Sequence, residues 1–345
     1  MDFSVGSILI FDGLTKGSIY ALLALATVLV FAVTRVIFIP QGEFVAFGAL
    51  TLAMLQNKQI PGTVWLVMIL ALLSASQDFI DAIKRRLSPM AIFRNLVKTL
   101  ALPFLASALT VILAPLNTPL VVQVLLSLFL VTMMGGLVYK VAYESLAEQS
   151  VLVLLIVSVG VHFALTGLGL LFFGAEGFRT PNFWDFSMNL GPVNITGQSV
   201  IIIVSGFALS GLLWLFFEKT LRGKALLATA VNPLGARIVG ISATGAGKLS
   251  FTLAAFIGAL SGLLVGPTTT LFYDSGFLIG LKGFVAAVFA GLSSYPLAIV
   301  GAIAVGTLES FSSFWASAYK EVIVFTIILP VLLWRSLSDP HAEEH

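Results

Sequence analysis

Three ionisable side chains interrupt otherwise apolar runs: Glu43, Lys282 and Glu309. A charge set among lipid chains is costly, so such groups usually face a cavity, a solute path or one another. Each also has a simpler reading. Glu43 follows Pro40-Gln41-Gly42, where a carboxylate can sit in the first turn of the next helix and meet the positive end of its dipole. Lys282 and Glu309 can snorkel from helix ends towards water. His162 also lies inside an apolar run; a hydrogen-bonded interior histidine accounts for it more simply than a proton relay. Gln41, Gly42, Glu43, Lys282 and Glu309 are therefore the candidate pathway residues.

Other chemistry is sparse. Cysteine is absent, which excludes disulfides, thiol catalysis and thiolate-bound metal. Of the three histidines, His341 and His345 fall in a polar tail, so no metal site is expected. Residues 242–249, Ser-Ala-Thr-Gly-Ala-Gly-Lys-Leu, imitate a phosphate-binding loop. They lack its opening glycine and the hydroxyl residue after lysine that would hold magnesium, and no buried strand precedes them. The chain is not expected to be an enzyme, to hydrolyse ATP or to carry a cofactor.

The elements that position these groups follow from composition. The chain of 345 residues is 59% hydrophobic and 10% charged, with a mean hydropathy of +1.07. Soluble domains carry about 25% charged residues, so lipid must be the solvent for much of this surface. The expected fold class is all-α, a polytopic transmembrane bundle in one domain over 1–345. Apolar runs predict spans near 15–37, 42–56, 63–77, 99–114, 119–139, 150–173, 199–217, 249–271, 281–293, 296–314 and 321–335. Segments 42–56, 63–77 and 281–293 fall short of the roughly 20 residues that a span needs, which marks them as half-helices or re-entrant segments. The start Met-Asp-Phe has no basic region ahead of an apolar core, so no cleaved signal peptide is expected.

Lysine and arginine set the orientation. Lys84, Arg85, Arg86, Arg94 and Lys98 form one cluster, and Lys219, Arg222, Lys224, Arg237 and Lys248 a second, with Lys140 and Arg335 as single cases. Eleven spans put all of them on one side. The positive-inside rule makes that side cytoplasmic, with the N-terminus outside and the C-terminus inside. The polar segment 174–198 then lies outside. Phe79, Ile80, Ile83 and Leu87 recur at helical spacing opposite basic residues, which predicts an amphipathic helix in the cytoplasmic interface, and Ser88-Pro89 should open a new helix. Gly258, Gly262 and Gly266 repeat every four residues, a seam that allows close helix packing. The net charge of +2 leaves no nucleic-acid footprint.

In the basic loop 218–248, Asn232 is a good N-cap and Pro233 suits the first helical position. Leu234, Ile238 and Ile241 then share a face around Ala236, and Gly240 is placed to end the helix. A short capped helix over 233–240 between two spans is what one protein offers to a groove on another.

Three blocks resemble the branched-chain (hydrophobic) amino-acid uptake ABC transporter permeases. They are Gly13–Leu25 leading to Gln41–Ala49, then Ala230–Ile241, and Gly280–Leu292 with Pro296 and Gly301 through Glu309. The resemblance covers about two-thirds of the chain. It implies a pore subunit of the bacterial inner membrane, paired with a second, related permease and driven by two ATPase subunits that bind ATP and magnesium. A periplasmic binding protein would deliver the substrate, and helix 233–240 would be the coupling element. Gln41 stands where the family usually has histidine before Gly-Glu, an acidic residue common in the coupling loop is missing around Val231-Asn232, and 78–135 reads as an insertion with extra spans. Relatives carry branched-chain or other amino acids, or urea and short amides. The rival from another class is an ion-coupled secondary carrier, which would use Glu43, Lys282 and broken helices but leaves helix 233–240 without a role; a structural membrane scaffold is the third.

Overall fold

The computed structural model describes residues 3–338; His341, His345 and the side chain of Arg335 lie outside the described part. Helices α1 (Phe3–Thr34), α2 (Gln41–Gln56), α3 (Thr63–Lys84), α4 (Pro89–Leu113) and α5 (Leu120–Val138) are followed by a π turn and a 3-10 turn ending at Leu146. Then come α6 (Val151–Phe173), a hairpin of β1 (Ser187–Leu190) and β2 (Val193–Thr196), α7 (Gly197–Lys219), α8 (Leu221–Val231) and α9 (Pro233–Ile238). The chain closes with α10 (Ala243–Val265), α11 (Ser275–Phe289), α12 (Tyr295–Trp315), α13 (Lys320–Thr326) and α14 (Ile328–Ser338). The fold is a polytopic helical bundle.

Among the described residues eight helices are long and apolar enough to cross a membrane, fewer than the nine to eleven expected: α1, α3, α4, α5 with its extension, α6, α7, α10 and α12. Three of the predicted segments do not cross, and two of them, 42–56 and 281–293, are among those read as half-helices or re-entrant segments. α2 has 16 residues and α11 has 15, and the run 321–335 is broken at Ile327 into α13 and α14. Segment 63–77 errs the other way, because α3 continues for 22 residues to Lys84. The amphipathic stretch after residue 78 is thus the end of α3 rather than a helix of its own. Helix α3 can run on through Asp78 because that carboxylate accepts from Lys140 Nζ at 2.6 Å and from Thr99 Oγ1 at 2.5 Å.

Capping explains where several helices start. Hydroxyls of Ser88, Ser150, Thr196, Thr220 and Ser242 accept from the backbone N–H three residues on, opening α4, α6, α7, α8 and α10. Ser88 is followed by Pro89 at the first helical position, whose missing N–H costs nothing there.

α2 is shielded from lipid on every side. All its residues except Met54 and Gln56 are buried, so it need not span the bilayer. After α1 the chain turns back into the bundle, where Phe38 packs on Phe251 with ring centroids 4.6 Å apart. α2 therefore begins beside the middle of α10, and Gln41 Nε2 donates to the Ala254 carbonyl at 2.9 Å. Irregular backbone is tolerated at such depth when protein surrounds it.

Gly262 faces the backbone of α2, where a Cβ would overlap the Val45 carbonyl oxygen. Gly258 sits against Phe44 and Gln41, and Gly266 against Thr180 and Ala49. Gly42 meets Gly276 and Gly280 of α11 backbone to backbone. These close approaches hold α10, α2 and α11 as one rigid centre. α4, α6 and α7 ring it and expose Phe104, Phe163 and Trp214, as helices facing lipid do.

Candidate functional site

Two buried polar centres lie within the bundle. In the first, Lys282 of α11 meets Glu309 of α12. Lys282 Nζ donates to Glu309 Oε1 at 2.8 Å and to Glu321 Oε1 of α13 at 3.1 Å. The Tyr20 hydroxyl of α1 donates to Glu309 Oε2 at 2.5 Å. Lys282 and Glu309 are each only 5% exposed. Neither snorkels; they hold each other, as charges in a low-dielectric interior must. One turn or two along α1, Asp12 pairs with Lys16 at 2.8 Å and accepts from Ser310 Oγ at 2.8 Å.

These groups line a cavity of about 570 Å³. Its ionisable wall is balanced, with Asp12, Glu309 and Glu321 facing Lys16, Lys282 and Lys320, and Thr268, Thr269 and Thr270 add hydroxyls. A wall with both signs and no net charge suits a solute that itself carries one ammonium and one carboxylate.

The second centre is Glu43 of α2 with His162 of α6. His162 Nδ1 and Glu43 Oε1 are 2.6 Å apart and share a hydrogen bond. Glu43 is 1% exposed, and its Oε2 has no hydrogen-bond partner; the same holds for Gln41 Oε1. The ring of Phe277 lies 4.6 Å from that of His162. Phe277 also borders an apolar cavity of about 260 Å³ with Phe38, Gly280, Leu281 and Phe284. Glu43 stands in the first turn of α2 but makes no side-chain cap; its N-cap position is Pro40.

Glu43 and Lys282, expected to face one pathway or to pair, thus belong to different centres. Their partners are His162 for the first and Glu309 and Glu321 for the second. Tyr20 and Glu321 escaped the reading of the sequence. Tyr20 lies within the Gly13–Leu25 block and is a tyrosine in a run of aliphatic residues, which is the one signal that could have found it.

The basic loop carries α8 and then α9. Asn232 Oδ1 accepts from the Gly235 N–H at 2.8 Å, and Pro233 follows at the first helical position. α9 has six residues rather than eight. It closes when the Ile241 N–H reaches the Ala236 carbonyl at 2.9 Å, with Gly240 at φ +87°, a left-handed conformation that glycine adopts without strain. Ala236 is buried, while Leu234 and Ile238 are 69% and 78% exposed and Val239 joins them. Ile241 does not complete that face; it turns partly inward, towards a cavity it shares with Leu226 and Leu249. Arg237 Nη1 donates to Glu148 Oε1 at 2.8 Å, tying α9 to the turn after α5. The imitation of a phosphate loop at 242–249 is the capped first two turns of α10.

The family model for the branched-chain amino acid transport system permease component matches residues 9–77 and 99–332. The high-affinity branched-chain amino acid transport system permease protein BraD of Pseudomonas aeruginosa is 25% identical over 350 residues, 96% of each chain. LivH of Escherichia coli, a permease protein of the same description, is 30% identical over 211 residues, 58% of this chain and 67% of that one. PsaBC from Streptococcus pneumoniae, solved with a Fab, aligns over 93% of this chain and 89% of that one at 14% identity and a TM-score of 0.37, a likeness too low to argue from. With the family match running through both buried centres and the α8–α9 loop, the chain belongs to the branched-chain amino acid transport system permease components.

Proposed function

We propose that the chain forms half of the translocation pathway of an importer for branched-chain or other hydrophobic amino acids. Two ATPase subunits that bind ATP and magnesium energise it, a second homologous permease completes the pathway, and a periplasmic binding protein delivers the substrate. The observation that carries the substrate reading is the balanced charged wall of the 570 Å³ cavity. An α-ammonium has Glu309 and Glu321 to meet, and an α-carboxylate has Lys282 and Lys16. The buried Glu321 Oε2 has no partner of its own, so it can accept from an arriving ammonium without breaking a bond. Gln41, Gly42 and Glu43 form the second station of the same route, beside an apolar cavity lined by Phe277 and Phe284 that fits an aliphatic side chain.

α9 is the coupling element in this reading. Its exposed Leu234 and Ile238 sit in a groove of the ATPase. Closure of the ATPase pair moves α9 through contacts that differ between the two states, as any such coupling requires. Arg237, bonded to Glu148, passes the shift to the end of α5.

Uptake into proteoliposomes holding the assembled transporter tests the reading. Labelled leucine should accumulate only with ATP and binding protein, should resist an uncoupler, and should be competed by isoleucine and valine but not by urea. Collapse of uptake by the uncoupler would instead make this an ion-coupled carrier. Competition by urea alone would move the substrate to the short amides.

A further inference from the structure

Residues 78–98 fall between the two stretches that the family model matches, and neither buried centre uses them. They form the corner between α3 and α4. Lys84, Arg85, Arg86, Arg94 and Lys98 are all exposed there, and among the described residues none of the five forms an ion pair. Asp78 is held by Lys140 at 2.6 Å. Counting Lys140, six cations stand against three nearby carboxylates, Asp78, Asp81 and Glu144.

The backbone of the corner is also unusual. The Leu87 N–H reaches the Ala82 carbonyl at 3.0 Å, which closes α3 and puts Arg86 at φ +51°. Glycine normally fills that position, since it alone adopts it freely. The chain keeps an arginine there instead. α4 then starts at the same point, with no acidic residue in its first turn, so its positive dipole end adds to the cluster.

Apolar side chains surround these charges. Met90 and Phe93 are 75% and 65% exposed, and Phe79, Ile80 and Ile83 are exposed beside them. α4 packs chiefly against α3 and α5, at the rim of the bundle and away from α9. Both α3 and α4 are long and apolar enough to span a membrane, which puts their shared corner at the bilayer surface. Basic clusters at that depth, mixed with apolar and aromatic residues, have the chemistry of an anionic headgroup site. We propose that the α3–α4 corner binds the phosphate headgroup of an anionic phospholipid of the surrounding leaflet. The apolar side chains take its acyl chains, and Arg85, Arg86 and Arg94 take its phosphate. This rests on the membrane-spanning fold and not on the substrate reading.

The test is native mass spectrometry of the full chain in a neutral detergent, offered equal phosphatidylglycerol and phosphatidylcholine. The wild type should retain phosphatidylglycerol preferentially. Each neutralised cation should weaken that binding by about fivefold, the order expected for one basic residue near an anionic surface, so Arg85→Gln/Arg86→Gln/Arg94→Gln should lose about a hundredfold. The corresponding triple lysine variant controls for folding and should keep most of the preference, because its charges remain. Equal retention of the two lipids by the wild type would overturn the proposal, as would unchanged phosphatidylglycerol binding by the glutamine variant. Loss of a co-purifying ATPase with lipid binding intact would assign the corner to a protein partner instead.

Discussion

Lys282 and Glu309 show what a buried charge demands. Each would be intolerable alone in this interior, and each has the other at 2.8 Å. Removing one partner strands the other, at a cost of about 3–5 kcal/mol, whereas removing both strands neither and leaves only the partly exposed Glu321 without its lysine. Lys282→Met and Glu309→Gln should each lower the thermal midpoint of the purified permease by several degrees, and the double variant should regain part of the loss. The measurement is thermal unfolding in detergent, and additive losses in the double variant would mean that the two do not act as a pair. Both residues were legible in the sequence because a lone charge stands out in an apolar run. Their partners were not. Glu43 finds His162 at 119 residues' separation and Lys282 finds Glu309 at 27, and local pattern carries no information about such distant neighbours.

At the scale of elements, the centre depends on how closely α10 can approach α2. Gly262 allows that approach, since a methyl there would overlap the Val45 carbonyl. Gly160 on α6 faces open space. Gly262→Ala should therefore destabilise by about 1–3 kcal/mol, the usual cost of overpacking, while Gly160→Ala should be neutral or gain up to about 1 kcal/mol of helix propensity. Comparing the yield and melting temperature of the two variants checks this, and equal behaviour would remove the packing argument. The four-residue glycine spacing was readable as a seam, but the helix it meets was not. Helix lengths were misread where a polar residue was satisfied by tertiary contacts. α1 extends back past Asp12 because Ser310 of α12 meets it, and α3 runs past Asp78 because Lys140 meets it. α2 and α11 read as apolar enough for spans, yet their helices are too short to cross, since protein rather than lipid surrounds α2.

Across the whole molecule, the basic clusters collect at one end. Lys140 joins the end of α3 to the end of α5, and Arg237 joins α9 to Glu148 just beyond it. The β1–β2 hairpin lies before α7, a full helix length from that helix's Lys219 end. We expect the basic end to face the cytoplasm. In this cysteine-free chain, Lys84→Cys and Lys224→Cys should resist an impermeant thiol reagent in intact cells, and Asn189→Cys in the exposed hairpin should react. Labelling of either lysine position from outside would invert the orientation. We propose that α9 docks the energy-supplying subunit. It is tested most directly by co-purification of the ATPase with tagged permease carrying Leu234→Asp and Ile238→Asp. Both side chains are exposed, so the permease itself should fold and insert normally, while an unpaired charge buried in the groove costs several kcal/mol per ion. The ATPase should be lost from the purified complex and uptake should stop; full recovery of the ATPase with normal uptake would mean that α9 is not the docking element.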